Sequence, residues 1–97
     1  MEEIIWTDEA EIWLRDIFDY IALDSSEAAT AVVQGIYRRA QQLKAFPQSG
    51  HLHRTEPDGE IRILLYGHYR IAYQLTSDNQ IVILGVFHGA LNIERLL

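Results

Sequence analysis

The sequence predicts an α+β fold, a helical hairpin packed on a mainly antiparallel four-stranded sheet in the order β-α-α-β-β-β. Three observations predict it. Two consecutive segments carry apolar residues at helical spacing, three later segments are rich in β-branched and aromatic residues, and a single turn-rich stretch separates the two halves. The chain has 97 residues, 48% of them hydrophobic. That is the length of one domain with one core, here residues 1–97.

Residues 2–6 form a short β-prone segment with Ile4, Ile5 and Trp6, expected at one edge of the sheet. Thr7 reads as an N-cap, and Asp8, Glu9 and Glu11 set negative charge against the positive end of a helix dipole. Ala10, Trp13, Leu14, Ile17, Phe18 and Ile21 then follow one helical face. Asp24-Ser25-Ser26-Glu27 interrupts the pattern and restarts it. Asp24 or Ser25 can cap, and Glu27 lies where a capping-box partner of Asp24 would sit.

The second helix carries Ala29, Val32, Val33, Ile36, Ala40 and Leu43 on one stripe, with Arg38, Arg39 and Lys44 towards the end that favours cations. Gly35 in its middle costs about 1 kcal/mol relative to alanine, and Pro47 closes the segment. Residues 47–59 read as the one long loop.

Strands are expected over about 60–66, 69–75 and 80–88, with Thr76-Ser77-Asp78-Asn79 turning between the last two. The run Ile81–Phe87 is apolar without alternation, which suits a central strand covered on both sides. If Ile61, Ile63 and Leu65 share a face with Ile71, Tyr73 and Leu75, the hairpin needs an odd-length loop, such as Gly67-His68-Tyr69. Arg62 and Arg70 would then share the opposite face. The tail, 89–97, is either a short helix or a loose arm.

Charge and composition narrow the function. The net charge is −6, from 8 Lys+Arg against 14 Asp+Glu. Proteins that live on phosphate backbones generally carry the opposite sign, because their affinity comes from counterion release. There is no cysteine, hence no disulfide or thiolate site. No apolar run approaches the roughly 18 residues of a membrane span, and Met1-Glu2-Glu3 is acidic where a signal peptide is basic. A cytoplasmic protein with no membrane association is expected.

Several short elements, in this order, resemble the RelE/ParE toxins of bacterial type II toxin–antitoxin systems. They are Trp6-Thr7 before an acidic helix start, Tyr20-Ile21-Ala22 at that helix's end, and Leu43-x-x-Phe46-Pro47-x-x-Gly50. They continue with Arg62, Tyr69-Arg70-Ile71-x-Tyr73, and Val86-Phe87-His88-Gly89. The helix-end tyrosine, the Phe-Pro-x-x-Gly and the His-Gly are closer to the ParE side.

The resemblance implies a toxin neutralised by a cognate antitoxin, with operator DNA reached only through that antitoxin. ParE-like members poison DNA gyrase by binding. RelE-like members cut messenger RNA on the ribosome, and a degenerate, non-toxic antitoxin-binding module is a third possibility.

Metal-free RNA cleavage needs a base, cations for the phosphorane charge and an acid. Here Arg70 and Arg62 match basic positions, Leu64 replaces another, and Arg95 is the one late arginine, with no late tyrosine. That set is depleted, so an enzyme is the less favoured reading. The functional candidates are Arg62, Tyr69, Arg70, Tyr73 and His88.

Three of these candidates, Arg70, Arg62 and His88, also have a purely structural reading. Arg70 could anchor a carboxylate or loop carbonyl, and either Arg70 or Arg62 could dock an antitoxin carboxylate. Arg62 could be a solvated strand face, and His88 could hold the tail. His51-x-His53 lacks further ligands at metal spacing, so neither metal nor cofactor is expected. The aromatics Trp6, Trp13, Phe18, Tyr20, Tyr37 and Phe46 read mostly as core rather than as a stacking platform for bases.

Overall fold

The computed structural model describes residues 3–89 and 93–97. Its elements are β1 (Ile4–Trp6), α1 (Asp8–Ala22), α2 (Ser26–Gln41), β2 (His51–Glu56), β3 (Gly59–Tyr66), β4 (Tyr69–Thr76), β5 (Ile81–His88) and α3 (Ile93–Leu96), with a 3-10 turn over Gln42–Lys44.

The two long helices start where side chains can satisfy their free N–H groups. The hydroxyl of Thr7 accepts from the Ala10 N–H at 3.0 Å, and that of Ser25 accepts from Ala28 at 3.1 Å. Ser25 is thus the second cap, and no capping box is built on Asp24. Thr7 also joins the layers, because its N–H and hydroxyl both donate to the Ile83 carbonyl.

The sheet has five strands, not the expected four, in the order β1-β5-β4-β3-β2. β1 pairs parallel to β5 and every other pair is antiparallel. The added strand, β2, lies inside the segment expected to be a loop. Apart from Leu52 its residues are polar, as suits an edge strand paired only with β3 among the described residues, and it carries an irregularity between Leu52 and Arg54.

The β3–β4 register also departs from expectation. Tyr66 pairs with Tyr69, so the turn is the two residues Gly67-His68. Gly67 at φ 57 supplies the backbone that a glycine-first hairpin turn needs. Arg62 therefore pairs with Tyr73, and Leu65 pairs with Arg70. Arg62 and Arg70 lie on opposite faces, because residues 62 and 65 differ by an odd number. The inference from alternation failed because both faces of these strands are covered.

The main core lies between the helices and the sheet. Leu14, Ile36, Ala40 and Leu43 meet Leu64, Ile71, Tyr73, Ile81, Ile83 and Val86 there. A smaller cluster on the other face joins Ile63, Ala72 and Phe87 to Ile93 of α3, with Trp13 and Leu97 beside it. β1 pairs only with Ile81–Ile83. Beyond it the β5 edge has no strand neighbour among the described residues, and Trp13 of α1 sets its ring edge-on to Phe87 at 4.7 Å. The Arg54 guanidinium donates to the Leu97 carbonyl at 2.9 Å, pinning the far end of the tail. No helix of the described residues is long and apolar enough to cross a membrane.

Candidate functional site

Two of the predicted site residues, Arg62 and Tyr73, are brought together, and both serve the loop after α2. Arg62 donates to Glu60 at 2.8 Å, to the Gly50 carbonyl at 2.7 Å and to the Gln48 carbonyl at 3.2 Å. Its side chain is 14% exposed. The Tyr73 hydroxyl donates to the Pro47 carbonyl at 2.6 Å and accepts from the Gly50 N–H at 3.1 Å.

Gly50 must lack a side chain here, since a Cβ would stand 2.7 Å from the Tyr73 ring and 2.9 Å from the Ile63 carbonyl. Burial pushes the Tyr73 phenol above its ordinary pKa. The nearby Glu60 charge adds to the shift, while the Gly50 N–H and Arg62 oppose it. The Phe46-Pro47-x-x-Gly50 element is thus the segment that Arg62 and Tyr73 clamp to the sheet.

Arg70 stands elsewhere. It lies on the face that carries α3, between Leu65 and Phe87 in the ladder, and has neither an ion pair nor a hydrogen bond among the described residues. Arg95, on α3, is exposed. Arg62, Arg70 and Arg95 therefore do not all converge on one point where a phosphate could sit.

Tyr69 and His88 pair across β4 and β5 on the helix-facing side, at the end of the sheet away from the β4–β5 turn. Their rings meet edge to face at 5.7 Å, and His68 stacks on His88 at 6.3 Å. The two residues line a cleft of about 450 Å³ with Val86 and with Trp13, Asp16, Ile17 and Tyr20 of α1.

The α1 residues were not singled out as site residues by sequence. Their signal is nevertheless there, because positions 13, 16, 17 and 20 are spaced i, i+3, i+4, i+7 on one helical stripe. An acid and a tyrosine interrupt what would otherwise be a purely apolar face. Tyr20 is 77% exposed, and Phe46 is 67% exposed, so these two aromatics lie outside the core.

Chemically, the cleft offers aromatic faces, two phenols, an imidazole and a carboxylate. Among the described residues that line it there is no lysine or arginine. Among the described residues, no three His, Asp or Glu gather as a metal site.

Residues 4–92 match the family model described as the ParE toxin of the type II toxin–antitoxin system parDE. The chain belongs to the ParE toxin family. A solved structure, the chromosomal ParDE toxin–antitoxin system from P. aeruginosa, is similar with a TM-score of 0.73 and 24% identity. The match covers 91% of this chain and 96% of that one, and at this identity it speaks to the fold. No curated protein matches the chain. In this ParE-family chain the residues singled out in the sequence fall in two separate places. Arg62, Tyr73 and Gly50 hold the α2–β2 loop, while Tyr20, Tyr69 and His88 open onto the cleft.

Proposed function

We propose that this ParE-family toxin acts by binding DNA gyrase, without hydrolysing a substrate, and that a cognate antitoxin neutralises it in the cytoplasm. Family membership over residues 4–92 supports the toxin class. The single observation that carries the binding mode is the dispersal of the arginines. Arg62 is committed to Glu60 and two loop carbonyls, and Arg70 lies on the opposite sheet face. A phosphoryl-transfer site for RNA needs several cations converging on one developing charge.

The net charge of −6 argues that operator DNA is reached only through the antitoxin. The decisive experiment is induction of the chain without its antitoxin. Replication should fall first and gyrase–DNA cleaved complexes should accumulate, while transcripts stay intact. Transcripts cut within codons, with cutting abolished by Arg70→Ala, would replace this reading with ribosome-dependent cleavage. Unimpaired growth would leave only an antitoxin-binding module.

A further inference from the structure

The cleft at the end of α1 has a composition that selects one ligand chemistry. Trp13 and Tyr20 project from α1 about two turns apart, Tyr69 approaches from β4, and Asp16 lies on the intervening turn of the same stripe. His88 forms the rim against Tyr69. Asp16 is exposed and makes no ion pair or hydrogen bond among the described residues.

Aromatic faces attract a cation through their quadrupole, and a carboxylate beside them adds a formal charge of the right sign. The surroundings reinforce this preference. The helix that forms one wall, α1, carries Asp8, Glu9, Glu11, Asp16 and Asp19 against a single cation, Arg15. A phosphate-bearing ligand would meet repulsion at the same place.

We propose that the cleft bounded by Trp13, Tyr20 and Tyr69 around Asp16 receives the guanidinium or ammonium group of an arginine or lysine side chain of the antitoxin. The identity of the occupant rests on the antitoxin partnership in the proposed function; the cation preference does not. Charge complementarity selects that partner segment, because a basic anchor on the antitoxin would exchange part of its hydration for aromatic faces and gain a carboxylate. The volume, about 450 Å³, accommodates one long side chain and its flanking backbone.

The test uses the full chain, isotope-labelled, titrated with N-acetyl-arginine amide and with tetramethylammonium. Two probes serve as controls, the neutral N-acetyl-norleucine amide and adenosine monophosphate. The cations should shift the Trp13 indole N–H and the Tyr20 and Tyr69 ring signals, and neither control should. Tyr20→Leu and Asp16→Asn should each weaken cation binding about two- to thirtyfold, the range a cation–π contact spans. Both side chains are exposed, and unchanged β3 and β4 signals would show that the fold is intact.

Equal binding of the norleucine analogue would overturn the proposal, as would tighter binding of the nucleotide or insensitivity to both variants. In a second arm, the complex with the protein encoded by the neighbouring reading frame is titrated with the same cations. Exclusion of the probes from the complex supports the antitoxin as occupant, and undiminished binding rejects it. Growth inhibition by the chain alone is unaffected by either result, so failure of the proposed toxicity and failure of this site remain separate outcomes.

Discussion

Tyr73 concentrates several roles in one side chain. Its ring is part of the main core, and its hydroxyl both donates to Pro47 and accepts from Gly50. Tyr73→Phe keeps the ring but strands the Gly50 N–H and the Pro47 carbonyl. The expected cost is about 1–3 kcal/mol, the penalty of buried polar groups left unpaired, read by urea denaturation.

The same residue sets a pH dependence. The folded state holds the Tyr73 phenol above the ordinary value of 10.0, mainly by burial. Its contribution is therefore complete below pH about 10 and is lost as pH rises through the folded-state value. Tyr37 acts with the same sign, raised by burial, then by the charge of Glu11 and by its hydrogen bond to Glu11. Stability should fall on the alkaline side, and the slope should be shallower in Tyr73→Phe; equal slopes would refute the assignment.

Thr7 and the acids after it were legible as a cap because capping is a local rule. The engagement of Arg62 was not, since its partners at positions 48 and 50 are joined to it only by the β2–β3 pairing.

At the scale of elements, Gly35 shows how a helix can contain its least favoured ordinary residue for a reason that lies outside the helix. A Cβ at position 35 would stand 1.8 Å from the Tyr66 hydroxyl oxygen and 2.5 Å from the carbon that bears it. α2 and β3 approach closely there, and Arg39 fixes the approach by donating to the Leu65 carbonyl at 3.0 Å. Gly35→Ala should therefore destabilise the protein by about 1–3 kcal/mol, the range for overpacking. In a Tyr66→Ala background the same change should instead stabilise it by up to about 1 kcal/mol, because only helix propensity remains. A double-mutant cycle measures this, and additivity of the two changes would contradict the packing account.

The helices were readable because an amphipathic stripe needs only one buried face. β2 was not, because an edge strand has the polar composition of a loop. The hairpin register was misread for a related reason. Ile61 and Ile63 are as buried as Ile71 and Leu75, yet on the opposite face, so alternation could not say which set met the helices. An odd loop follows only for a sheet covered on one side, whereas Gly67-His68 builds the two-residue turn.

At the scale of the molecule, the sheet is covered unequally. One face carries two long helices, and the other carries α3 and its neighbours over Ile63, Ala72 and Phe87. These covers should differ in cooperativity. Ile36 is fully buried in the main core, and every strand from β3 to β5 contributes to its cluster. Ile36→Ala should lower global stability by about 2–5 kcal/mol. Ile93 is almost as buried, but it belongs to a four-residue terminal helix, and short terminal elements open locally at low free-energy cost. Ile93→Ala should therefore leave the urea midpoint nearly unchanged while speeding proteolysis near the tail and exposing Phe87 to an apolar dye. Arg54→Ala, which removes the donor to the Leu97 carbonyl, should do the same more weakly. If Ile93→Ala instead shifts the midpoint as far as Ile36→Ala does, the tail is part of the single folding unit. Release of the Arg70 face would then require unfolding of the whole domain and could not proceed by local opening.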